Sequence, residues 1–186
     1  MRWLFGSRDP PDLPMFDHLD RQDLINQVNW TWYLLGSSTW QARYGHLQER
    51  PLPRKEYSEF YLAFENSFCK DYVTEKFFNL FNEVDTIPVV RGGFEYHKFF
   101  PAGIYIDAAD FPSPESLGAY LRELATDEQR YVRLLKRKNR FTRAEQPVRI
   151  ACELCKAAHL GEPRQVYGDL YRWLRAPGNC WRPTDL

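Results

Sequence analysis

The sequence predicts an α/β fold: a short parallel sheet with helices packed against it. Two observations carry this. From Glu59 onward, short apolar runs alternate with helical patterns in the order strand, helix, strand, short helix, strand, helix, an alternation that builds parallel sheets. The composition is also globular. Hydrophobic residues make up 44% and charged residues 27% of the 186 positions, which argues against wholesale disorder.

Each element has its own signal. Phe60-Tyr61-Leu62-Ala63-Phe64 is an apolar, aromatic-rich run of strand length that stops at the polar cluster Glu65-Asn66-Ser67. A helix beginning near Tyr72 follows, because Val73, Phe77, Leu80 and Phe81 fall on one face at helical spacing. Thr86-Ile87-Pro88-Val89-Val90, closed by Arg91-Gly92-Gly93, predicts a second strand. Pro88 belongs at its start or edge, since proline cannot donate to a ladder. Ile104-Tyr105-Ile106-Asp107 predicts a third strand. Ser113 is a natural N-cap, with Pro114 at the first helical position and Glu115 in the first turn; the helix it opens puts Leu117, Tyr120, Leu121 and Leu124 on one face. Thr126 and Gln129 form a capping-box pattern for a further helix running to about Arg140. Pro147 opens another, with Ile150, Ala151, Leu154, Cys155 and Ala158 inward.

Around this core, residues 1–55 read as poorly ordered, with proline-rich turns at Pro10, Pro11 and Pro14 and a linker at Pro51-Leu52-Pro53. Residues 56–160 form the α/β domain, and 161–186 read as a C-terminal tail. The 25 Lys+Arg balance the 25 Asp+Glu. The basic excess of a nucleic-acid binder is therefore absent, and no nucleic-acid partner is expected. No apolar run approaches the roughly 20 residues that span a bilayer, and the first 14 residues lack the apolar region of a secretory signal. The chain is thus expected to have no membrane route of its own. The 6 Trp, 11 Tyr and 13 Phe supply either core volume or faces for stacking on sugars and bases.

Chemistry concentrates between Phe64 and Lys76. In a parallel α/β sheet, ligands bind just beyond the carboxyl ends of strands, and Glu65 to Asp71 leads from a strand end into a helix. Exposed N–H groups and the helix dipole favour an anion there. Lys76, in the first turn, has the wrong sign for that dipole unless a phosphate is brought to the same place. Glu75 can accept hydrogen bonds from a pair of sugar hydroxyls, and Asn66 and Tyr72 offer further polar contacts. The bland alternative is that Glu75 and Lys76 are solvated helix residues and Asn66 a turn residue.

These residues carry a resemblance. Phe60 to Ser67 followed by Asp71-Tyr72-Val73-Thr74-Glu75-Lys76 closely resembles the signature of the α-1,3-fucosyltransferases, continued through Ile87 to Gly92, Tyr96, Pro101 and Asp110-Phe111-Pro112-Ser113-Pro114. Asn29-Trp30-Thr31 and Tyr44-Gly45 resemble the close of that family's N-terminal domain. The resemblance implies a Rossmann-like donor-binding domain of a GT-B glycosyltransferase, incomplete here, with Asn66, Tyr72, Glu75 and Lys76 lining the pocket for GDP-fucose. It implies an inverting transfer of fucose to N-acetylglucosamine of an N-glycan or glycoprotein acceptor, without a required cofactor or metal, at the Golgi cisterna membrane. It also implies that the acceptor domain with its base, the first strand–helix units of the donor domain and the membrane anchor are missing from this sequence, as in a truncated or internally deleted form. No catalytic base is assigned, and Glu65 is given a structural or donor-side role. The alternative is a non-catalytic donor-domain remnant that binds a nucleotide or a partner.

Four cysteines, Cys69, Cys152, Cys155 and Cys180, leave zinc, a core cysteine pair or disulfides open; the resemblance favours disulfides. Cys152, Cys155 and His159 share a helix face but lack an evident fourth ligand. His18, His46 and His97 read as surface or loop residues. Asn29-Trp30-Thr31 is a glycosylation sequon if the chain reaches a lumen, unless Trp30 is buried. Arg130, Arg133, Lys136, Arg137, Lys138, Arg140 and Arg143 form a basic run without an acid, either a solvated helix face or a site for an anionic partner.

Overall fold

The computed structural model describes residues 3–6, 28–33, 37–41, 45–49, 60–82, 84–144, 150–160 and 166–184. Through these the chain forms β1 (Trp3–Gly6), β2 (Val28–Tyr33), β3 (Trp40–Gln41), β4 (His46–Glu49), β5 (Phe60–Phe64), β6 (Phe68–Cys69), α1 (Glu75–Phe78), β7 (Ile87–Arg91), α2 (Tyr96–Phe99), β8 (Ile106–Asp107), α3 (Pro114–Thr126), α4 (Glu128–Lys138), β9 (Phe141–Ala144), α5 (Ile150–Leu160), α6 (Leu170–Leu174) and β10 (Cys180–Trp181). A 3-10 turn, Asn79–Phe81, extends α1, and another, Ala108–Asp110, follows β8.

The expected parallel sheet is β5-β7-β8, with helices packed on both faces. All five residues of β7, the central strand, are buried. Successive strand side chains point to opposite faces. Ile87 and Val89 therefore join Ile106 beneath α3 and α4, while Val90 joins Ala63 beneath α1 and α2. Pro88 stands second in β7, opposite Tyr61, and β8 begins only opposite Val89. Its missing donor thus falls where the strand has one neighbour. On the α1 face, Phe77 is the hub: the rings of Phe78, Phe81, Tyr96, Phe100 and Tyr105 lie 4.8 to 6.2 Å from it. Each such pair adds about 0.5–1.5 kcal/mol beyond burial alone, so much of the aromatic load is core.

Three departures from expectation have local causes. Residues 1–55 carry β1 to β4, not only irregular chain: β1-β2-β3 is a second parallel sheet, and β4 pairs antiparallel with β9. Its strands escape a hydropathy reading because a fully buried position, Thr31, is polar; its Oγ1 lies 2.9 Å from Tyr167 Oη and accepts from Thr39 N. Within the expected C-terminal tail, residues 166–184 also carry packed elements. Leu170 and Leu174, one turn apart on α6, are buried against Tyr33, Tyr72 and Cys69. Helix starts also shift. Thr74, not Tyr72, caps α1, and Asp127 caps α4 by accepting from Arg130 N, because α3 already runs through Thr126.

The basic run is largely engaged within the fold. Lys138 is buried and donates to Val84 O at 2.7 Å, Arg130 pairs with Glu123, Arg140 pairs with Glu49, and Arg143 donates to Asn79 Oδ1. Among the α5 residues whose burial is described, Ala157 is buried and Leu154 half-buried, whereas Ala151, Cys155 and Ala158, expected to face inward, are exposed. No helix of the described residues is long and apolar enough to cross a membrane.

Candidate functional site

At the carboxyl end of β5 the ladder continues one residue further, with Glu65 N donating to Arg91 O at 2.9 Å. The Glu65 side chain then turns inward, only 7% of the residue remaining exposed. Its two carboxylate oxygens accept from Thr74 N and Thr74 Oγ1, both at 2.8 Å. Thr74 is the N-cap of α1 and accepts from Lys76 N. One acid therefore ties the start of the 65–74 loop to its end. Burial pushes the Glu65 carboxyl above the ordinary value of 4.5, against the opposing pull of Thr74 and of nearby Lys76.

Lys76 reaches back over this loop. Its Nζ donates to Phe64 O at 3.0 Å and to Asn66 Oδ1. An ammonium has three donors, so these contacts leave one for a further acceptor. Asn66 is exposed, Lys76 half-buried and Glu75 exposed in the same first turn. The structure thus brings Asn66 and Lys76 together, with Glu75 beside them. Tyr72 differs: it is packed in the core with Tyr33, Cys69, Leu170 and Leu174.

A second clamp acts on the same loop. β6 pairs antiparallel with β10, a disulfide joins Cys69 to Cys180, and Lys70 N donates to Asn179 O at 2.7 Å. Gly93 permits the approach, because a Cβ there would lie 2.6 Å from both Cys69 N and Cys69 O. Cys152 and Cys155 are free and exposed, which corrects a core cysteine pair on α5. Cys155 Sγ lies 3.7 Å from His159 Nδ1, and no group of three or more ligating side chains occurs among the described residues. Of the histidines, His46 is exposed on β4. His97 meets Asp110 at 2.9 Å and Tyr105 Oη at 3.2 Å, and His18 lies outside the described residues. Asn29 is the second residue of β2, the middle strand of its sheet, and Thr31 of its tripeptide is buried.

Two cavities lie among these elements. A cavity of about 180 Å³ lies along the carboxyl edge of the sheet, bounded by Phe64, Arg91, Ala108 and the start of α3 at Ser113 and Pro114. Phe64, whose carbonyl holds Lys76, forms one of its walls. Asp107, at the end of β8, accepts from Ala109 N at 3.0 Å; burial raises its carboxyl, while His97 and Arg91 pull the other way. The larger of the two, about 670 Å³, is lined by Lys70 and Asp71 of the loop together with β4, Phe141 and the Phe94 to Pro101 segment.

Comparison with known proteins places the chain in a family. The family model described as glycosyltransferase family 10 (fucosyltransferase), C-terminal, matches residues 23–173. Alpha-(1,3)-fucosyltransferase C of Drosophila melanogaster is 39% identical over 118 residues, covering 61% of this chain and 27% of that protein. Glycoprotein 3-alpha-L-fucosyltransferase A of the same organism is 41% identical over 133 residues, covering 67% and 26%. A crystal structure of an alpha1,3-fucosyltransferase with GDP-fucose aligns at a TM-score of 0.41 and 17% identity, covering 93% of this chain and 44% of that one. The chain spans about a quarter of the length of these two Drosophila relatives. With the family match running from residue 23 to residue 173, the chain belongs to glycosyltransferase family 10, the fucosyltransferases.

Proposed function

We propose that this chain is the donor-binding part of a GDP-fucose-dependent α-1,3-fucosyltransferase of the inverting GT-B type. Its acceptor is N-acetylglucosamine of a glycoprotein glycan, and its place is the Golgi cisterna membrane. The observation that carries the proposal is the Lys76–Asn66 pair, set at the carboxyl end of β5 where Phe64 walls the cavity at the start of α3. A cation there meets the diphosphate; Glu75, exposed in the same turn, accepts from sugar hydroxyls. Tyr72 contributes by holding the loop against the core.

In an inverting transfer the acceptor oxygen bonds to the fucose anomeric carbon as the bond to GDP breaks. The acceptor proton passes to a base, and the electron pair leaves on the diphosphate. Lys76 stabilises that departing charge. The two buried carboxylates nearby are engaged elsewhere: Glu65 holds Thr74, and Asp107 holds Ala109. That engagement favours a second reading, a module that binds donor but does not transfer it.

Calorimetric titration with GDP tests the donor site. Lys76→Ala should weaken binding by about tenfold or more, the scale of one charge-assisted contact. Equal affinity in the variant, with an unchanged melting temperature, removes the donor assignment. Transfer of labelled fucose from GDP-fucose to an N-acetyllactosamine or chitobiose-core acceptor then separates enzyme from binding module.

A further inference from the structure

We infer that His97 is a proton-operated charge at the carboxyl end of the sheet: protonated, it offsets the acids beside the small cavity and tightens the hold on an anionic ligand there. The inference rests on the proposed placement of the donor diphosphate at that cavity, and it adds a means of regulating the same site. The cluster is assembled from three parts of the chain. His97 lies on α2, Tyr105 just before β8, and Asp107 and Asp110 at the end of β8 and on the 3-10 turn that follows it. His97 Nε2 is 2.9 Å from Asp110 Oδ1 and 3.6 Å from Asp107 Oδ2, and Nδ1 is 3.2 Å from Tyr105 Oη. Beside His97 in the chain, Lys98 and Glu95 pair with each other at 3.0 Å and so add no net charge.

Both states of the ring satisfy this geometry. A neutral ring with its proton on Nε2 donates to the carboxylates and accepts from the Tyr105 hydroxyl. That hydroxyl keeps its proton, because burial, Asp107 and Asp110 push it up to about 12. A protonated ring donates from both nitrogens, and Tyr105 Oη then accepts. Only the charge changes, and imidazole is the side chain that ordinarily changes charge between pH 5 and 8. Asp107 carries that change towards the cavity, since His97 and Arg91 both act on its carboxyl. Arg91 is 7% exposed, lies over the Phe68 ring at 4.9 Å, and lines the small cavity together with Phe64 and Ala108. While His97 is neutral, Arg91 faces two carboxylates, and their excess opposes a phosphate and competes with it for Arg91. Protonation of His97 brings these four groups into balance. The side chains of His97 and Asp110 are 60% and 54% exposed, so water and salt screen the effect to about threefold in affinity.

The test is calorimetric titration of the full chain with GDP from pH 5.5 to 8, for the wild type and for His97→Gln. GDP itself titrates over this range, so the quantity read is the ratio of the two affinities, in which that common change cancels. The two proteins should bind alike at pH 8, and the wild type should bind about threefold more tightly at pH 5.5. Added salt should shrink the difference. Asp110→Asn removes one of the two acids at every pH and should tighten binding at pH 8 by a similar factor. Both side chains are largely exposed, so the variants should fold, and an unchanged melting temperature at pH 8 checks this. A ratio that stays level with pH, or moves the other way, overturns the inference and leaves the GDP site standing. A level ratio with a pH-dependent loss of stability in His97→Gln also overturns it, by making the cluster a structural latch alone. Absence of GDP binding to the folded wild type at every pH removes the donor assignment and the inference together.

Discussion

Glu65 shapes the candidate site through the loop it closes. Its carboxylate closes the 65–74 loop onto Thr74 and so fixes where Lys76 begins α1. Burial outweighs those bonds, and its carboxyl is raised above 4.5. The linkage follows from the sign. Below the unfolded value the group is protonated in both states and its stabilising contribution is complete; as pH rises through the raised folded value, the unfolded chain releases its proton more readily and that contribution is lost. Glu65→Gln cannot titrate. The stability of the wild type relative to this variant should therefore be greatest near pH 4 and decline as pH rises above 4.5. Urea unfolding of both proteins across pH 4 to 8 measures this, and a difference that grows with pH contradicts it. At this scale the sequence was informative where a residue acts by position alone. Lys76 could be placed from its charge in a helical first turn. The inward turn of Glu65 could not, because its partner is fixed by the shape of the loop and not by spacing.

Elements were legible in proportion to how local their causes are. α3 is announced by Ser113 and Pro114, and the structure adds the reciprocal bond to Ser116. β5, β7 and β8 are apolar runs between polar loops, and they pair as such runs should. β2 was not legible as a strand, since Thr31 is buried for the sake of Thr39 and Tyr167, the latter 136 positions away. The junction of α3 and α4 is the instructive case. Thr126 offers the more familiar capping pattern, yet its Oγ1 donates back to Glu123 O, while Asp127 has left helical geometry and accepts from Arg130 N. Asp127→Ala should then cost about 1 kcal/mol, the scale of a lost N-cap, whereas Thr126→Ala should fall within about 0.5 kcal/mol of wild type. Denaturant unfolding of the two variants decides which residue starts α4, and the reverse ranking would restore the capping-box reading.

At the scale of the whole molecule, two of the buried clusters meet at the loop that carries the candidate site. β5 and α1 bring the sheet core to it, while Tyr72 and Cys69 bring the core that holds β2 and α6. The Cys69–Cys180 bond closes this arrangement across 111 residues. Nothing local in the sequence marks Cys180 as the partner: the pairing depends on β10 returning to β6, and on Gly93 leaving room for Cys69 to pass. The link should matter in two ways. Joining positions so far apart restricts the unfolded chain strongly, and removing a native disulfide typically costs about 2–5 kcal/mol. In the folded chain it seats the Lys70 amide on Asn179 and the Cys69 carbonyl under the Tyr72 amide. Cys180→Ser, or reduction of the wild type, should thus lower the unfolding free energy by about 2–5 kcal/mol. It should also speed hydrogen exchange at Lys70 and Tyr72 well before it does so at Val89 and Val90 in the centre of the sheet. Amides of β7 lie in a core that the clamp does not enter, so their protection should fall only by the global loss. Uniform acceleration at all four positions would mean that the bond acts through the unfolded chain alone, and that the loop owes its order to Glu65 and Thr74 without help from the C-terminal segment.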